Sequence, residues 1–299
     1  MEQIRKMITT FFNILPPFLI ILIGFIFGKA FSFDIKIVSK LSLWIMATIL
    51  TFTFINDYPP KLSQLNTYGF GVAILFIIFY FVSLMFKEYK SLIFTNSVYI
   101  NTGYLGYPIL LSVWGEQALS YGVIYSILNM ILGSIFVPMF LGKNINVKNI
   151  FKLPYIYVIT IAYILSISGI SYKNFPKPIL ETILLLKNAA IPLLLLYVGL
   201  SLSKINFKKI NFKIVISTIL IRLFIYPTLA LIFVFITSME KSLGKVFILE
   251  SAMPTAINSV ILIDAITGDS SDISLTVAAT TLISAFTIPI WVFLIERFI

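Results

Sequence analysis

Apolar stretches of about 20 residues, long enough to cross a bilayer, recur along the whole chain. They lie at 8–28, 37–55, 68–86, 92–114, 118–141, 153–170, 179–202, 214–236, 246–265 and 273–295. This pattern predicts an all-α integral membrane protein with ten transmembrane helices. The joints are short and polar, the longest near 142–152 and 203–213, and they leave no room for a soluble domain. The first stretch exceeds the 7–15-residue apolar core of a signal peptide, although Lys29-Ala30-Phe31-Ser32 looks like the end of one. It is therefore read as the first span.

Composition supports the same class. Of 299 residues, 59% are hydrophobic and only 11% charged, with a mean hydropathy of +1.02, against about 25% charged in soluble domains. The net charge of +10 is carried largely by Lys in the short gaps between apolar stretches. That placement points to orientation in the membrane and contact with anionic membrane lipid. Nucleic acid is not an expected partner, because no basic domain exists to hold it. There is no Cys and no His, which excludes disulfides, thiol chemistry, Cys/His metal sites and His-based triads or proton relays. No phosphate-cradling loop occurs, which disfavours an ATP-driven pump. Lys is more frequent in the loops after the odd-numbered spans than basic residues are in the other loops and both termini, Arg5, Lys6 and Arg297 included. Both termini are thus expected outside the cell membrane.

The two halves, 1–148 and 149–299, each hold five spans, and in each the fourth is interrupted. The first interruption contains Asn101, Gly103, Tyr104, Gly106, Tyr107 and Pro108; the second contains Pro254, Thr255, Asn258 and Ser259. Gly raises the cost of a continuous helix and Pro lacks the N–H for its turn. Five spans is an odd number, so the second copy enters from the opposite side. Paired broken helices at matching positions of inverted repeats point to a transporter's binding site. Gly and Pro are also simply common in membrane helices.

Broken helices expose amide donors at one half-helix end and carbonyl acceptors at the other. Asn101 and Asn258 add side-chain amides suited to a carboxylate or a polar solute, or equally to bonding between helices. Tyr104 and Tyr107 flank the first break. Arg222 lies nine residues beyond Lys213, about 13 Å into its span at 1.5 Å per residue. It is either a counter-ion for an anionic substrate or a fixed organiser of the bundle. Glu250 and Lys187 reach similar depths and are expected to form an ion pair; unpaired, Glu250 is a candidate proton carrier. Asp57 and Asp264 near helix ends are expected to face solvent, and Gly24-x-x-x-Gly28 fits close helix packing. No nucleophile–base pair, metal site or cofactor motif is visible, so enzyme activity is not expected.

At the two interruptions the sequence resembles the auxin efflux carrier family, which includes plant auxin carriers and bacterial organic-acid permeases. The matching stretches are 101–108 and 252–259, supported by 188–192 with Gly199, Arg222 with Pro227, and 281–284 with Pro289. The resemblance implies two inverted five-helix repeats with crossing fourth and ninth helices, an elevator-type motion and a homodimer. Its substrate would be a small organic anion such as a dicarboxylate or an auxin-like acid. The short 142–152 connection departs from the long loop of the plant carriers, and Glu250 and Lys187 stand outside the family pattern. A cation-coupled carrier or exchanger using Glu250, and a membrane sensor that keeps the carrier fold without turnover, are the competing readings.

Overall fold

In lipid, backbone N–H and C=O groups have to be satisfied within the segment, so each apolar stretch is driven into a helix. The computed structural model describes residues 2–142, 154–205, 211–260, 263 and 271–299, with side chains from Thr9 onward. Its elements are α1 (Glu2–Ala30), α2 (Ile35–Asp57), α3 (Leu62–Leu84), α4 (Lys90–Val98), α5 (Tyr107–Phe140), α6 (Pro154–Ile167), α7 (Lys177–Ser203), α8 (Phe212–Ile236), α9 (Lys241–Ser251) and α10 (Ser271–Phe298). Among the described residues no strand forms beyond one isolated bridge. The side chains of Arg5 and Lys6, residue Asp264 and the division at 148/149 lie outside what is described.

Seven helices are long and apolar enough to cross a membrane among the described residues. The longest, Thr102–Phe140, has 39 residues, about 58 Å at 1.5 Å per residue against a hydrocarbon core of about 30 Å. Gly115 interrupts it with φ +79°, a left-handed backbone that favours glycine. The expected spans 92–114 and 118–141 meet at this residue.

Polarity is inside out. Phe12, Ile26, Phe81, Leu185, Ile236 and Phe286 face outward, while Arg222, Glu250, Asn96, Asn101 and Thr255 are buried. Lipid in place of water makes that arrangement stable, because the outer face loses nothing by being apolar.

Pro227 shows how a helix breaker is accommodated. It lacks the N–H that would bond the Leu223 carbonyl, and Trp291 Nε1 donates to that carbonyl instead, at 2.8 Å. The chain just before it widens into a π-helical turn over Ile221–Ile225, a device common at functional sites. Similar turns occupy Ser42–Met46 and Thr102–Gly106.

α1 and α7 pack closely. A Cβ on Gly24 would stand 2.5 Å from the Leu196 carbonyl oxygen, and one on Gly199 would overlap the Ile21 carbonyl and stand 2.7 Å from Phe25 N. The Gly24-x-x-x-Gly28 motif therefore does bring two backbones together. Gly199→Ala forces them apart and is expected to cost about 1–3 kcal/mol, read as a lower unfolding midpoint in detergent. An unchanged midpoint would mean that α1 yields freely.

Asp57 corrects an expectation. Its carboxylate is only 7% exposed, 2.8 Å from Lys173 Nζ, and accepts from Tyr172 OH at 3.0 Å. Its hydrogen bond raises the Lys173 ammonium above its ordinary range. Beside it, the buried Asn56 donates to the Ile170 carbonyl (3.0 Å) and accepts from Tyr172 N (3.0 Å), tying α2 to the turn after α6.

Candidate functional site

Both expected interruptions are present, and they meet. α4 ends at Val98 and α9 at Ser251. The extended segments that follow pair antiparallel at Ile100 and Thr255. Asn101 N donates to the Pro254 carbonyl at 2.9 Å, and Ala256 N donates to the Tyr99 carbonyl at 2.8 Å. Each break thus satisfies backbone groups of the other, which is what lets unwound chain persist away from water. Helix resumes at Thr102, where the Asn101 carbonyl accepts from Gly106 N at 3.1 Å and closes the π-helical turn.

The carbonyl ends of α4 and α9 converge on Arg222, which is fully buried. Its NH1 donates to the Ser97 carbonyl at 2.6 Å and its Nε to the Met253 carbonyl at 2.8 Å, while NH2 donates to the Ser251 carbonyl. The guanidinium carbon lies 3.9 Å from the Tyr226 ring centre. A cation here neutralises two negative helix ends at once, and the planar fork of donors suits three divergent carbonyls. Thr255 adds a further tie, its hydroxyl donating to the Asn96 carbonyl at 3.0 Å. Asn129 of α5 donates to the Val98 carbonyl at 3.1 Å.

Bordering the bridge is a cavity of about 70 Å³, small beside the roughly 300–1,000 Å³ of typical ligand pockets. Of the expected residues, Asn101, Gly103, Tyr104, Tyr107 and Asn258 line it. The Asn101 Nδ2 is buried with no hydrogen-bond partner among the described residues. Among the described residues Asn258 holds only long contacts, donating to Tyr104 OH and accepting from Tyr197 OH, each at 3.4 Å. Pro254, Thr255, Ser259, Gly106, Pro108 and Arg222 are not in its lining. Pro254 and Thr255 are committed to the bridge, and the Ser259 hydroxyl donates to the Ala256 carbonyl at 2.6 Å. Ser126, Asn129 and Tyr155 line the cavity but escaped sequence reading, because they sit in unbroken apolar stretches with no local signal.

The expected Lys187–Glu250 pair does not form. Lys187 Nζ is 2.9 Å from Glu116 Oε1 and 4.8 Å from the Phe54 ring centre. Glu116 is 48% exposed, so that pairing needs less desolvation than one in the interior. Glu250 turns the other way. A Cβ on Gly122 would stand 2.7 Å from its Oε1, and one on Gly106 would collide with the carboxyl. Gly106 thus makes room for Glu250, a role that its place in the interruption did not reveal. Both Glu250 oxygens are buried without a hydrogen-bond partner among the described residues.

Comparison with known proteins bears on this arrangement. The model of a family described as membrane transport protein matches residues 137–292. The chain is similar to an uncharacterized transporter of Methanocaldococcus jannaschii, 28% identical over 202 residues, and to one of Methanothermobacter thermautotrophicus, 25% identical over 200 residues. Each match covers 64% of this chain and 64% of the relative.

Proposed function

Because this chain belongs to the membrane transport protein family, that of the auxin efflux carriers, we propose that it is a secondary transporter or facilitator for a small organic anion. The observation that carries the reading is the division of labour at the paired breaks. The carbonyl ends of α4 and α9 are spent on Arg222, while the helix start at Thr102 and the Asn101 and Asn258 amides border the cavity. A site bordered by donors and by a helix start favours negative charge, by about 0.3–1 kcal/mol for an exposed helix N-terminus and up to about 2 when partly buried. With few fixed charges, such a site binds in the micromolar-to-millimolar range, from which a carrier releases its load.

The proposal includes ten crossings. Counting the turn at Gly115 as the joint between the fourth and fifth supports it, and so does taking α9 as the first half of the ninth. It further takes residues 1–148 and 149–299 as inverted five-helix repeats with both termini outside the cell membrane. Arg222 and Thr255 fasten the two interrupted helices together and Asn129 ties α5 to the first of them, which suits their movement as one body in an elevator-type cycle. Homodimeric assembly enters from the family resemblance.

The test is uptake by the purified chain in liposomes of labelled acetate, succinate and indole-3-acetate, under imposed voltage. Saturable, voltage-dependent uptake of at least one acid, absent from empty liposomes, is expected. Specific binding without flux would overturn transport in favour of a sensor. Neither binding nor flux for any of the three would overturn the anion reading.

A further inference from the structure

Glu250 takes no part in the proposed anion site, yet among the described residues it is the most deeply buried carboxyl, at 0% exposure. We infer that Glu250 is a proton-binding site, loaded through the cleft between α9 and α5. This rests on the proposed transport only in giving the proton a use; the binding itself is a property of the fold.

Two observations and their physical consequence carry it. The carboxyl occupies a fitted cradle made by two residues without side chains, Gly106 and Gly122. No cation or donor meets it there among the described residues. Holding a bare carboxylate in such a place costs far more than holding the neutral acid, and the group escapes that cost by accepting a proton.

Among the described residues the surroundings offer no alternative neutraliser. α3 brings up the Tyr68 phenol and α5 those of Tyr107 and Tyr125, the groups within electrostatic reach. Tyr68 OH donates to the Leu243 carbonyl at 2.8 Å, and Tyr125 OH is bonded to Ser251 Oγ at 2.9 Å. From α8, Arg222 is committed to the carbonyl cluster and Tyr226 stacks beneath it. From α10, Glu296 accepts from Trp114 Nε1 at 2.6 Å and from Lys245 Nζ at 3.0 Å. Lys245 is the cation of α9 closest in sequence to Glu250, so it too is occupied. Glu116 of α5 is paired with Lys187.

A cleft lies near the cradle. It is about 170 Å³ and is lined by Trp114, Ala118, Tyr121, Lys245 and Val246, among others, with space for several waters at about 30 Å³ each. Ala118 is four residues before Gly122 and Val246 four before Glu250. On both helices the cleft floor is thus about one turn, roughly 5.4 Å along the axis, from the carboxyl. A hydronium ion in the cleft gives up one O–H bond and is left as water while an O–H bond forms to one carboxylate oxygen, and unloading is the reverse step, the proton returning to water in the cleft. In the neutral form, the buried side chain moves with its helix without carrying a net charge through the apolar interior.

Infrared difference spectra of the full chain in liposomes test this directly. A carboxylic acid C=O stretching band is expected at neutral pH, lost in Glu250→Gln and retained in Glu116→Gln. In Glu250→Asp the band should shift rather than vanish, which keeps the test open if the Gln variant does not assemble. Ala118→Leu, which fills the cleft floor, should slow the hydrogen–deuterium exchange of this band. No acid band in the parent, or a band that survives in a folded Glu250→Gln protein, would overturn the inference. A Glu250-dependent band in a protein that moves none of the three acids would uphold the proton site and overturn the transport reading.

Discussion

Arg222→Gln is expected to cost this protein more stability than any other single substitution discussed above. The guanidinium donates to three carbonyls at the ends of two interrupted helices, all deep in the interior. A glutamine amide cannot span them, and each buried carbonyl left without a donor costs about 1–3 kcal/mol. The total is several kcal/mol, and it falls on the bridge at Ile100 and Thr255 that holds the site together. Arg222→Lys restores the charge but not the planar fork, so only partial recovery is expected. The measurement is thermal unfolding in detergent, with the amount of assembled protein as a second reading. Stability equal to the parent would mean that the carbonyl cluster does not depend on Arg222. A fully stable variant that no longer binds any carboxylate would make Arg222 the primary counter-ion and overturn the account in which dipoles bind the anion.

Asn101→Ala is expected to do the opposite, weakening carboxylate uptake strongly while leaving the fold nearly unchanged. The Asn101 amide nitrogen has no hydrogen-bond partner among the described residues, so its removal relieves an unpaired buried donor rather than breaking a bond. The contacts that Asn101 makes to the second break and to Gly106 run through its backbone, and alanine keeps them. If the amide donates to a bound carboxylate, losing a hydrogen bond to a charged group costs about 1.5–3 kcal/mol. At 1.4 kcal/mol per decade, apparent affinity falls about ten- to a hundredfold. Uptake in liposomes as a function of succinate concentration, beside the unfolding midpoint, separates the two effects. Unchanged uptake would remove Asn101 from the site, and a large fall in stability would make it a packing residue.

The contrast between these two residues shows where sequence reading reaches its limit. Both are polar residues in apolar spans, and from sequence each stands as both a binding candidate and a structural one. Their roles separate only when the partners are visible. Arg222 faces three backbone carbonyls from segments 29, 31 and 125 residues away, whereas Asn101 lines a cavity and its amide nitrogen has no partner among the described residues. Glu250 gives the same lesson in another form. Depth along a helix is legible from spacing, but the direction of a side chain around the axis is not anchored when every face is apolar. Lys187 and Glu250 could be matched in depth and still point to different neighbours.

By itself the sequence determined the class and the two places where helix fails. Each follows from local chemistry: lipid demands long apolar runs with internal hydrogen bonds, and proline and glycine interrupt them wherever they stand. It also marked the close approach of α1, because small residues one turn apart line one face of a helix. Only the tertiary structure decided that the two breaks satisfy each other, that Arg222 closes both carbonyl ends, that Lys187 belongs to Glu116, and that Gly106 and Gly122 clear a place for the Glu250 carboxyl. Those are contacts between segments far apart in the chain. Hydrogen-bond geometry and desolvation select them after the helices have packed, and neither leaves a trace in residue spacing.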